Sequence, residues 1–167
     1  MNDHPFHRER SARVGGARAE AVFKVLDDPR LLGQHMNRRS PMMAGGTMRT
    51  ETDEQRGQQV GSVIRMSGRF LGLALWLEEA VIERLPPRRK VWETQGQPRL
   101  LVIGHYRMGF ELGAEPAGTH VRIWIDYSLP SGGWLRGLAR WLAPVYADWC
   151  LREMLRAVTH NFKAEVR

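Results

Sequence analysis

Apolar and polar positions along this chain change their period twice. Ala19, Val22, Phe23 and Leu26 recur at helical spacing, which predicts a short amphipathic helix over 17–26. Asp28 stands where an N-cap belongs, and Pro29 fills the first helical position, where a missing N–H costs nothing. A second short helix therefore follows, burying Leu31, Leu32 and Met36. Residues 37–46 read as a loop punctuated by Pro41 and Gly45-Gly46. From Thr47 the period becomes two. Strands are expected near 47–55, 58–68, 71–84, 89–96, 100–112 and 119–129, parted by short Gly- or Pro-containing turns such as Arg56-Gly57 and Leu85-Pro86-Pro87. Connections this short join antiparallel neighbours, since a parallel crossover needs about a dozen residues. A further strand over 11–16 would sit at an edge, giving six or seven strands in all. Residues 1–10 are polar and expected to be disordered, with one domain over 11–166.

The strands alternate. Tyr106, Met108, Phe110 and Leu112 share one face, as do Val121, Ile123, Ile125 and Tyr127, and Val60, Ile64 and Met66. A sheet with one apolar face needs a cover. The segment 134–166 supplies it as about 30 residues of helix, roughly 45–50 Å long. Its apolar stripe changes side: Leu135, Leu138, Leu142, Val145 and Trp149 lie on one face, and Cys150, Leu151, Met154, Leu155, Val158 and Phe162 on another. Pro144 stands at the change of phase, so a bend or break is predicted near Ala143-Pro144, with the two halves burying different faces.

Composition narrows the function classes. The 167 residues are 43% hydrophobic and 26% charged, ample for a core and ordinary for a folded chain. The net charge of +7 suggests an anionic partner, yet residues 1–56, 57–127 and 128–167 carry excesses of only +2, +2 and +3. No basic block argues for nucleic acid, and Arg88-Arg89-Lys90 reads as a solvated turn. Cys150 is the single cysteine, which excludes an internal disulfide. No apolar signal core opens the sequence, and no window approaches the roughly 18 apolar residues that cross a bilayer, so a cytoplasmic protein is expected.

Residues 11–165 resemble the START/polyketide-cyclase-like (SRPBCC) superfamily. The resemblance rests on Val22-Phe23 and Leu26-Asp27-Asp28-Pro29 in the short helices, the uninterrupted meander and the long C-terminal helix. Glu83-Arg84-Leu85-Pro86-Pro87-Arg88 and Gly118-Thr119-His120-Val121-Arg122 add local matches. It implies an α+β helix-grip fold, a curved antiparallel sheet wrapped around the C-terminal helix with an apolar cavity between them. Members bind lipids, sterols, polyketides, quinones or hydrophobic hormones, and some catalyse cyclisation or dehydration.

The chemistry visible in the residues is sparse. No phosphate loop, nucleophile elbow or His-Glu-x-x-His motif occurs. The six histidines are scattered, so neither a metal nor a cofactor is expected. Cys150 reads as a small core hydrophobe. Among the polar residues Glu93, His105, Tyr106, Arg107, Asp126 and Tyr127, the alternation turns Arg107 and Asp126 to solvent as an expected cross-strand pair. It turns Tyr106 and Tyr127 inward. Candidate ligand-binding residues are Ile64, Met66, Trp76, Trp92, Tyr106, Met108, Phe110, Ile123, Tyr127, Trp149 and Met154, an apolar lining with few polar groups. Trp134, Leu138 and Trp141, with Arg136 and Arg140 opposite, are candidate contacts to a membrane surface or a partner. The leading expectation is a binder of a small hydrophobic molecule of lipid, polyketide or quinone type. A cyclase or dehydratase acting in the same cavity is the alternative, and a basic module for nucleic acid or membrane the third.

Overall fold

The computed structural model describes residues 4–37, 46–70, 72–131 and 135–164. Most of the loop expected over 37–46, and Trp134, lie outside the described residues.

The chain runs β1 (Phe6–Gly15), α1 (Ala19–Leu26), α2 (Pro29–Leu32), α3 (Gln34–Asn37), β2 (Thr47–Thr52), β3 (Val63–Phe70), β4 (Leu73–Leu85), β5 (Arg89–Arg99), β6 (Tyr106–Glu115), β7 (Gly118–Tyr127) and α4 (Leu135–Ala164). All seven strands form one antiparallel sheet in the order β1-β7-β6-β5-β4-β3-β2. The sheet is curved, with the long helix against it and the short helices after β1: the helix-grip architecture. The meander is as the turns predicted. Asp28 caps α2, its carboxylate accepting from Arg30 N at 2.9 Å, with Pro29 in the first turn. Gly33 then divides the expected second helix into two single turns, α2 and α3.

Several boundaries differ from the sequence reading. β1 begins at Phe6 rather than at residue 11, so half of the segment expected to be disordered is paired, Phe6 opposite Tyr127 through Gly15 opposite Gly118. Its polar composition reflects an edge strand with most side chains facing water. β3 starts at Val63, which leaves Val60 in the preceding turn and exposed. β6 starts at Tyr106, so residues 100–105 form an irregular connection instead of a strand. The pairing of β4 with β5 shifts register twice, between Trp76 and Glu78 and again between Val81 and Glu83. Such irregularities bend a strand and strengthen its twist.

The largest correction concerns α4. It is one unbroken helix through Pro144, and a single stripe is buried along it: Ala139, Ala143, Ala147, Leu151, Met154, Leu155 and Val158. Its alanine row packs toward β1 and β7. The leucine-rich stripe of the first half faces out instead, with Leu138 half exposed, Leu142 and Val145 similarly open, and Trp141 80% exposed. Hydrophobicity points to the leucines. Close approach of helix to strand selects the alanines, because their small side chains let the backbones draw together.

Each stripe makes a distinct stability expectation. Ala143→Leu and Ala147→Leu push a bulky side chain into closed packing and should destabilise by about 1–3 kcal/mol in urea unfolding. Leu138→Ala and Trp141→Ala should change stability by no more than ~0.5 kcal/mol. The reverse order would mean that the exposed ridge is part of the core.

Candidate functional site

Between α4 and the β3–β5 half of the sheet lies a cavity of about 230 Å³. Its walls come from alternate positions on three strands: Ile64 and Met66 on β3, Leu75, Leu77 and Glu79 on β4, and Lys90 and Trp92 on β5. Tyr106, Met108 and Ile125 continue the surface, and α2 and α3 close one side with Leu32, His35 and Met36. The irregular segment Leu100–Ile103 covers another side. Four residues of α4 at four-residue intervals, Leu142, Tyr146, Cys150 and Met154, complete it. This row lies beside the buried alanine row, one helical step around the cylinder. The surface is overwhelmingly apolar, the composition expected of a small-molecule pocket.

Six of the candidate ligand-binding residues line this cavity: Ile64, Met66, Trp92, Tyr106, Met108 and Met154. The other five do not. Trp76 falls on the opposite phase of β4 and is partly exposed. Phe110 packs edge-on against Phe23, centroids 5.5 Å apart, and fills the core under α1. Ile123 is enclosed in the same core. Tyr127 stacks on Phe6 at 5.4 Å, its hydroxyl buried without a partner. Trp149 stands behind the wall against His35 and Tyr146.

Sequence reasoning misses most of the polar chemistry. Glu79 lies 2% exposed on the inward phase of β4, between Leu77 and Val81. A charged residue in phase with apolar neighbours is the available signal. Its Oε1 accepts a hydrogen bond from the Tyr106 hydroxyl. Burial pushes the carboxyl up to about 7, although bonds from Tyr106 and Trp92 and the charge of Lys90 pull the other way. Near neutral pH this carboxyl exchanges a proton inside an apolar wall.

Lys90, expected in a solvated turn, is 2% exposed instead. It follows the inward phase of β5, with Trp92 and Thr94. Its Nζ donates to the carboxylate and the backbone carbonyl of Asp27, at 2.8 and 2.9 Å. Arg84 donates to the other carboxylate oxygen at 2.8 Å. Burial pushes the Asp27 carboxyl up, but the bonds from Arg84 and Lys90 outweigh it and hold the group below its ordinary value. Burial lowers Lys90 by more than Asp27 raises it. This triad fastens α1 to β4 and β5.

His35 presents another acceptor. Its Nδ1 donates to Leu32 O at 2.9 Å, which leaves Nε2 as the lone-pair nitrogen, buried with no partner. Burial lowers its pKa, so the ring is neutral at pH 7. Cys150 lies in the cavity wall, and burial pushes its thiol up to about 12, the reverse of an activated nucleophile. Arg107 and Asp126 are in register as expected, but the Asp126 carboxylate pairs with His7 at 2.6 Å. Among the described residues, no three His, Cys, Asp or Glu groups are placed to hold a metal ion, and no helix is long and apolar enough to cross a membrane.

The sheet, the enclosed helix and the apolar cavity between them define a helix-grip protein. The sequence matches the polyketide cyclase / dehydrase and lipid transport family over residues 6–167, and the chain belongs to that family. Solved structures agree on the fold. The Zhui aromatase/cyclase from Streptomyces sp. R1128 superposes with a TM-score of 0.71 at 19% identity, covering 97% of this chain and 96% of that one. A protein from Thermus thermophilus gives 0.66 at 16%, covering 96% and 98%. The di-domain ARO/CYC BexL from the BE-7585A biosynthetic pathway gives 0.64 at 17%, covering 93% of this chain and 49% of that one. No curated protein matches the sequence.

Glu79 gives the site a signature in stability. Well below pH 4.5 it is protonated in both folded and unfolded chains. Between pH 4.5 and about 7 the unfolded chain releases the proton while the folded chain keeps it. Folding stability therefore falls across that window by about 3 kcal/mol, then levels off. Glu79→Gln should gain on the wild type by about 2.5 kcal/mol between pH 5 and pH 8 in denaturant titrations. A constant difference between the two proteins would contradict the buried, proton-holding carboxyl.

Proposed function

We propose that this protein binds a small, predominantly apolar molecule in the cavity between α4 and β3–β5. The observation that carries the reading is a void lined by flexible methionines, leucines and isoleucines with only a few polar groups set among them. An apolar cavity of about 150 Å³ stays dry and takes up benzene; this one is larger, suiting a bicyclic ring or a folded aliphatic chain. Burial at about 25 cal/mol per Å² supplies the affinity. A cyclase or dehydratase is the second reading. It requires a titratable group turned into the cavity, and Glu79 satisfies that requirement.

The test uses 2-methoxynaphthalene and the labelled methyl groups of Met66, Met108 and Met154. Their NMR shifts should move together on titration, with Met48 nearby also responding. Met66→Phe and Met154→Phe fill the space and should weaken binding at least tenfold in calorimetry. Shifts confined to surface residues, or wild-type affinity in both variants, would refute the assignment of the cavity.

We further propose that the ligand passes between this cavity and an anionic lipid surface. Leu142 belongs both to the cavity wall and to the exposed ridge of Leu138, Trp141 and Val145. The four span about 100° around the helix. Exposed Arg152, Arg156 and Lys163 continue the same side toward the C-terminus. Apolar residues followed by cationic ones suit a bilayer of negative headgroups, the former entering the interface and the latter meeting phosphate. Trp134 adjoins this ridge in sequence. Vesicles containing phosphatidylserine should bind the protein and pure phosphatidylcholine vesicles should not, and Trp141→Glu should lower the partitioning at least tenfold. Binding that ignores either change, or dimer formation through the ridge, would overturn the proposal.

A further inference from the structure

The cavity holds more hydrogen-bond acceptors than its own donors satisfy. Glu79 takes one bond from the Tyr106 hydroxyl and a second from Trp92, whereas a carboxylate offers about four acceptor positions. His35 Nε2 is buried with none. Lys90, the cation in the same wall, spends two of its three N–H groups on Asp27. The other polar side chains of the wall, the Tyr146 hydroxyl and the Cys150 thiol, bond to each other, so the open positions on Glu79 and His35 call for a ligand with a donor of its own. An unpaired buried acceptor is unfavourable, and a site built to receive a hydroxyl discriminates strongly against an analogue that lacks it.

We infer that the cavity selects ligands that are apolar over most of their surface and carry hydroxyl donors, one received by the Glu79 carboxylate and another by His35 Nε2. The inference rests on the cavity being a ligand site and specifies the chemistry of what enters. Hydroxyl groups suit it better than carboxylates or phosphates, which would place a second negative charge against Glu79. With Glu79 ionised, as at pH 8, they also suit it better than ketones or ethers, which only accept. A hydroxyl beside Glu79 can donate to the carboxylate while accepting the third N–H of Lys90.

The comparison of 2-naphthol with 2-methoxynaphthalene at pH 8 isolates the donor, because the two share a ring and differ by one methyl group. Wild-type protein should bind 2-naphthol at least tenfold more tightly in calorimetry. Glu79→Met should bring the two affinities to within about threefold, and His35→Leu should reduce the preference less steeply. Equal affinities in the wild type would overturn the inference while leaving the cavity reading intact, and that outcome requires no variant to fold. Binding of neither compound would remove the cavity reading and this inference together. A preference that survives both Glu79→Met and His35→Leu would show that the donor is received elsewhere and would overturn the assignment.

Discussion

The distance between α4 and the sheet is set on one side only. Ala139, Ala143 and Ala147 allow the helix to lie close against β1 and β7, and they are fully or almost fully buried. The adjoining row, Leu142, Tyr146, Cys150 and Met154, meets the other half of the sheet across a gap. A rigid helix held tightly along one edge cannot also settle onto β3–β5, whose strands curve away through two register shifts in β4. Side chains in closed interiors reach crystal-like density. Here the small-residue contact is satisfied first, and the larger space is left to be filled by something other than the chain. The cavity, the apolar ridge beside it and the polar groups in its wall all follow from that asymmetry.

Charges inside such a wall are tolerated only with partners. Asp27 is bonded by both Arg84 and Lys90, which leaves one N–H of Lys90 uncommitted, and the three join the short helices to the strands. Burying ionic groups in this way contributes little net stability, but removing one partner would strand the rest. Glu79 differs. The groups bonded to it are neutral donors, with Lys90 acting on it through charge alone, its proton is retained to about neutral pH, and its remaining acceptor capacity opens into the cavity. One charge cluster is therefore structural, and one carboxyl is left chemically available. That division separates the groups that build the container from those that meet its content.

Much of the architecture is legible in the residues. Strand alternation, Gly and Pro turns and the Asp28-Pro29 cap specify the meander and α1 and α2, since each depends on local physics. The misreadings share a cause: they weigh hydrophobicity without geometry. Phe6–Arg10 looks too polar for a strand because an edge strand shows most of its side chains to water. Leu138, Trp141 and Val145 outweigh Ala139, Ala143 and Ala147 on any hydropathy count, and only close packing reverses the order. Glu79 and Lys90 are in register with buried neighbours, but charge alone assigns such residues to the surface. Phe110, Ile123 and Tyr127 do point inward, as their alternation implies. The sequence does not tell which inward positions face a void and which face other side chains, because that depends on where α1 and α4 come to rest.

Membership of the polyketide cyclase / dehydrase and lipid transport family is compatible with carriage and with catalysis alike, so the decisive question is whether the space is real and reachable. A crystal of the protein pressurised with xenon answers it without presuming any ligand. Xenon should occupy the gap among Ile64, Met66, Met108 and Met154 while the alanine row beside β1 stays dry and closed. Electron density with interlocked side chains throughout that gap, and no xenon in it, would contradict the account.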